Sequence, residues 1–161
     1  MPLPFVTGYD AKDSVFTMEP DKIRIVANGA IAVGKAVMLD CTSDSISKVI
    51  QLTTAADHAF FGIYEGVGGS GALASISGLT GRAAVAGDVV EITVRGPAKV
   101  LAYDTGSNAP AAYDPVSFAV TAGIATKAAA LAAGICARVT FREAQAETLT
   151  SGATTDVFIN Y

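Results

Sequence analysis

The chain has 161 residues, a length that fits one domain able to bury about 70% of the surface its unfolded form exposes. Apolar types make up 51% and charged types only 16%, against about a quarter in ordinary soluble domains, so an apolar surface suited to protein contact is expected. Eleven Lys and Arg against fifteen Asp and Glu leave a net charge of -4 with no basic run, which argues against nucleic acid and an anionic membrane surface as partners.

No stretch is both long and apolar enough to cross a bilayer; the most apolar window, 128–137, ends at Arg138. The opening MPLPFVTGYD has neither the basic nor the apolar region of a secretory signal, so synthesis in a cytoplasm is expected. Cys41 and Cys136 are too few for a disulfide framework or a zinc site and read as free thiols.

Residues 1–20 hold Pro2, Pro4 and Pro20 and no sustained period, which reads as an extended N-terminal arm. Leu3, Phe5, Val6, Tyr9, Val15, Phe16 and Met18 are too apolar to stay in water. The arm is therefore expected to dock on another protein or to fold back on its own domain.

From Asp21 to Tyr161 short β-type runs alternate with turn residues, the pattern of one small all-β, mainly antiparallel domain. In 90–95, Val90, Ile92 and Val94 face one way and Glu91, Thr93 and Arg95 the other, a period of two. In 135–142, Ile135, Ala137, Val139 and Phe141 point inward. Further strands are expected over 22–27, 36–41, 47–52, 60–65, 98–103, 116–120 and 155–161. Ala125 to Ala133 has strong helix propensity, but Gly123 and Gly134 bracket it, so one or two helical turns are the most expected.

An internal pseudo-repeat divides the domain into about 22–96 and 97–161. Ala30–Leu39 aligns with Ala109–Phe118, Ala59–Ile63 with Leu131–Ile135, and Asp88–Ile92 with Asp156–Asn160. Two loops rich in small residues, 66–87 and 143–155, project from equivalent places.

Candidate chemistry is sparse. His58 beside Asp57 lacks the oriented partner and the exposed nucleophile turn that catalysis needs, and reads as a turn residue. Gly66 to Gly71 matches G-x-G-x-x-G with Asp88 downstream, but Gly78 and Gly81 interrupt the helix that would have to follow, so it reads as a surface loop. Asp40 and Asp44 flank a turn without the central glycine of a calcium loop. No catalytic, cofactor or metal site is assigned, and the chain is not expected to be an enzyme. Cys41 falls in step with Val37 and Leu39 and is expected to pack. Cys136 shares the polar face of its strand with Arg138, Thr140 and Arg142, and the two arginines become subunit-contact candidates.

The order AIAVGKAV at 30–37, FGIYE at 61–65 and AVAGDVVEITVRG at 84–96 resembles the capsid decoration, or cement, proteins of tailed bacteriophages. That resemblance implies a small β-barrel of the β-tulip type, a homotrimer on the exterior of the virion, and stabilisation of the head by bridging the major capsid protein. It also implies an N-terminal arm that adds to strands of that partner, which makes Pro2, Pro4, Phe5, Tyr9 and Phe16 contact candidates. The 66–87 loop is longer than the resemblance leads one to expect. A β-rich module binding carbohydrate or a receptor is the alternative, disfavoured because the chain has no Trp and five Tyr for stacking on sugars.

Overall fold

The computed structural model describes residues 19–42, 48–53, 59–66, 74–76, 79–102, 110–121, 123–127, 136–142 and 152–160. Every regular element among them is a strand, so the fold is all-β and mainly antiparallel as the alternation predicts. In chain order these are β1 Asp21–Ala27, β2 Lys35–Leu39, β3 Lys48–Gln51, β4 Phe60–Tyr64, β5 Ala74–Ile76 and β6 Leu79–Gly81. There follow β7 Val89–Leu101, β8 Pro115–Thr121, β9 Ile124–Lys127, β10 Cys136–Phe141 and β11 Thr154–Ile159. β5 and β6 form a ribbon of their own, and the other strands share one sheet.

The first half closes on itself. β1 pairs β3 in parallel, and antiparallel ladders join β3 to β2, β2 to β4, β4 to β7 and β7 back to β1. Closure gives each of the five strands a neighbour on both sides, though β3 covers β1 only at Val26 and Ala27. Val37, Val49, Tyr64, Val90 and Ile92 fill the interior, with Ile31, Val33 and Ala84 from the turns.

β7 carries the chain into the second half. Two strands, 90–95 and 98–103, are expected from the sequence, but one continuous strand is found, bent at Gly96, whose φ of 90° only glycine adopts easily. Beyond the bend β7 pairs β11, then β11 pairs β10, β10 pairs β8 and β8 pairs β9. A single parallel bridge, Ala102 to Ala125, brings β9 back to β7 and completes a second, looser barrel. Its core holds Val100, Val116, Phe118, Val139, Phe141, Val157 and Ile159. Phe60 of β4 reaches into the same cluster and stacks on Phe118, with ring centroids 5.2 Å apart and planes 3° from parallel.

Three local expectations are corrected. Ala125 and Thr126 belong to strand β9, because the ladder with β8 outweighs an alanine helix preference worth only tenths of a kcal/mol per residue; 128–133 lie outside the described residues. Thr93 is buried and Val94 half-buried, the reverse of the alternation, because Thr93 faces the junction between the barrels. Cys41 is exposed, since β2 ends at Leu39 and the chain turns outward there.

The hydrogen bonds of the two barrels correspond. Gly34 N donates to Tyr64 O, as Tyr113 N donates to Phe141 O. Ala27 N and O bond to Asp88 O and Gly87 N, as Ala102 N and O bond to Ala153 O and Gly152 N. β3 lies parallel to β1 at Ala27 and Val49, as β9 does to β7 at Ala102 and Ala125. These registers set Gly34 against Tyr113, in agreement with the first aligned block. They set Ile63 against Thr140 rather than Ile135, and Ile92 against Val157 rather than Asn160, so the other two blocks are out of register.

Candidate functional site: a cleft and a strand edge

Beside the Phe60–Phe118 stack, the barrels meet through close backbone contacts. Gly34 O accepts Leu101 N at 2.8 Å, and Ala36 N donates to Gly123 O at 2.9 Å. Gly123 has a φ of 68°, and a side chain there would stand 2.9 Å from Ala36 O, so only glycine allows this approach. Glu65 spans the remaining gap: its carboxylate accepts Thr93 Oγ1 at 2.6 Å and the Lys99 backbone N at 3.3 Å. Ile63 is fully buried in the shared core.

On the second barrel, the positions equivalent to this junction lie open. Tyr113, Thr140, Phe141, Arg142, Phe158 and Asn160 line a cleft of about 440 Å³. Tyr113 is 80% exposed and has a φ of 69°, the one described non-glycine residue in the left-handed region. Asp114 builds the turn that holds it there. The Asp114 carboxylate accepts Ala111 N at 2.8 Å, its own N–H donates to Ala111 O at 3.2 Å, and Lys127 lies 3.0 Å from the same carboxylate. The Ala111 N–H first, and the Lys127 ammonium second, hold the Asp114 carboxyl below its ordinary pKa.

The turn before β7 is built in the same way but carries glycine. Asp88 accepts Val85 N at 2.9 Å, and Gly87 takes the left-handed position with a φ of 92°. Arg82, 2.6 Å away, and then the Val85 N–H hold the Asp88 carboxyl below its ordinary pKa. Tyr64 donates to Arg82 O at 2.8 Å, and burial raises its phenol pKa. Burial likewise lowers the pKa of Lys35, at the start of β2.

Of the contact candidates named from sequence, Arg142 lines the cleft, whereas Arg138 is exposed on β10 outside it. Pro2, Pro4, Phe5, Tyr9 and Phe16 lie outside the described residues, as do Asp44, Asp57, His58 and Gly68 to Gly71. Asp40 is buried and binds Thr42 and Asn28 through its carboxylate. Among the described residues no group of three or more His, Cys, Asp or Glu could hold a metal ion, and no helix is long and apolar enough to cross a membrane. Sequence reasoning missed Tyr113. The signal available was a bulky residue where the first aligned block puts Gly34.

No described protein family and no curated protein matches the chain. Among solved structures, the fold is similar to that of a chain in the structure titled "The capsid of Myoviridae Phage XM1". The likeness covers 99% of this chain and 94% of that one, at 22% identity and a TM-score of 0.59. Identity this low shows a shared fold.

Proposed function

We propose that the chain is a structural, non-enzymatic protein of a tailed-phage virion. It sits on the exterior of the head as a homotrimeric decoration protein and stabilises the shell by bridging major capsid protein subunits. The observation that supports this reading is the likeness, along nearly the whole chain, to a chain from a phage capsid structure. The apolar, proline-bearing arm of residues 1–20 supplies a segment suited to strand addition on the capsid protein, where main-chain hydrogen bonds give affinity without a side-chain motif.

The stabilisation is a linkage effect. A protein that binds the assembled lattice and not its separated subunits adds about 2.7 kcal/mol per site when present at a hundred times its dissociation constant. The test mixes purified chain with undecorated shells of its source phage and follows co-sedimentation and the shell's melting temperature. Saturable binding with a raised melting temperature is expected, and deletion of residues 2–20 is expected to leave the barrels folded while abolishing attachment. Shells that neither bind the chain nor gain stability would overturn the proposal.

A further inference from the structure

The correspondence between the barrels pairs each half of the internal junction with an open counterpart. Barrel one offers Gly34, Ile63, Glu65 and Thr93 to the outer edge of β7, where Lys99 N points away from β11. By the same registers, the cleft of barrel two offers Tyr113, Thr140, Arg142 and Phe158. The counterpart of the β7 edge is β1, where Arg24 takes the place of Lys99. Even the flanking ion pairs correspond: Arg24 lies 3.0 Å from Glu91, as Lys99 lies 2.9 Å from Asp156.

Ala27 directs its N–H and C=O toward β7, so by the two-residue period Arg24 directs its own away from β7. β3 covers β1 only at Val26 and Ala27, which leaves the stretch through Arg24 as a bare edge among the described residues.

We infer that β1 of one copy of this chain docks in the Tyr113, Arg142 and Phe158 cleft of a second copy, repeating between chains the contact that joins the barrels within one. The substitutions at the cleft fit an interface that has no covalent link. Inside the chain, continuous β7 keeps the barrels at high effective concentration and the Phe60–Phe118 core lies beside the junction, so glycine and short polar contacts are enough at these positions. Between chains the contact must supply its own affinity, and Gly34, Glu65 and Thr93 are replaced by Tyr113, Arg142 and Phe158. Tyr and Arg are the side-chain types that dominate binding energy at protein interfaces. Tyr113 also holds a left-handed backbone conformation that strains a non-glycine residue, a strain retained where the side chain is used.

The chemistry of the edge is complementary. Arg142 is a donor where Glu65 is an acceptor, and the β1 edge presents the outward Arg24 carbonyl, with the ion pairs of Arg24 with Glu91 and Arg95 with Asp21 beside it. One bond has no counterpart, since Pro115 stands where Ala36 donates to Gly123 and has no N–H to give. Because the two patches differ, the contact is heterologous and closes into a ring or runs on as a filament. A closed ring of this kind is the form the proposed homotrimer would take, and to that extent the inference rests on the reading above.

The test uses the full chain alone, without shells, so its outcome is separate from that of capsid binding. Sedimentation equilibrium is expected to show self-association that Tyr113→Gly and Arg142→Glu each weaken by about 30-fold or more, the effect of removing a hot-spot side chain. Tyr113→Gly suits the left-handed position, and an unchanged or raised melting temperature would establish that the variant folds. Arg24→Cys mixed with Arg142→Cys is expected to oxidise to an interchain disulfide joining residues 24 and 142, identified by peptide mass. A monomeric wild type, an oligomer indifferent to both variants, or the absence of the 24–142 link would overturn the inference.

Discussion

Replacing Gly62 with alanine tests the packing that holds the first barrel and its junction together. A Cβ at this position in β4 would stand 2.5 Å from Ile92 Cγ2 and 2.5 Å from the Thr93 carbonyl oxygen. Ordinary contact begins at 3.4 Å, so β7 must retreat by nearly an ångström, and a backbone carbonyl in a ladder cannot rotate aside as a side chain can. Overpacking of this kind costs about 1–3 kcal/mol. Loss of the ladder contact between Ile63 and Thr93 adds about 1 kcal/mol, for a total of about 2–4 kcal/mol. At about 2–4 °C per kcal/mol for a chain of this size, the melting temperature should fall by roughly 5–15 °C. Gly29→Ala is the matched control, because nothing lies within 4 Å of its added Cβ and its φ is outside the left-handed region. That substitution should be neutral or stabilising by up to about 1 kcal/mol. Urea titration at equilibrium measures both, with a shift in midpoint at unchanged slope as the expected signature. A Gly62→Ala midpoint equal to wild type, or a Gly29→Ala stability below wild type, would refute the reasoning.

Two further perturbations follow from other parts of the fold. Phe118→Ala removes a fully buried ring stacked on Phe60 and should cost about 3–5 kcal/mol in the same titration, with Phe118→Leu costing less because it leaves a smaller cavity. Asp88 has a folded pKa below its ordinary value, so its contribution is fully present above the unfolded pKa and is lost as pH falls through the folded one. Asp88→Asn should therefore lower the melting temperature at pH 7, and the gap between variant and wild type should close as pH drops below about 4.

The β nature of the chain was legible from its sequence because side-chain alternation is a local signal. A half-buried strand shows its period in the residues themselves, and Val139 and Phe141 are buried while Arg138 and Arg142 are exposed, as the alternation predicts. The equivalence of Gly34 and Tyr113 was legible for a similar reason, since a tight turn before a strand constrains several adjacent residues at once. The registers of the later blocks were not, because small apolar residues match one another by chance and only the ladders fix which residues stand opposite. The alanines of β9 read as helix because their intrinsic preference is local, while the β8 ladder that decides their conformation comes from the other side of a turn.

The candidate site divides in the same way. Strand alternation and residue type marked Arg138 and Arg142 as contact candidates, and the sparse motifs marked the chain as poor in chemistry. Tertiary structure alone decided that β7 serves both barrels, that Thr93 faces inward to meet Glu65, and that the surface equivalent to that junction is an open cleft on the second barrel. The physical reason is that a strand's pattern reports which face is buried but carries no information about which strand or barrel covers it.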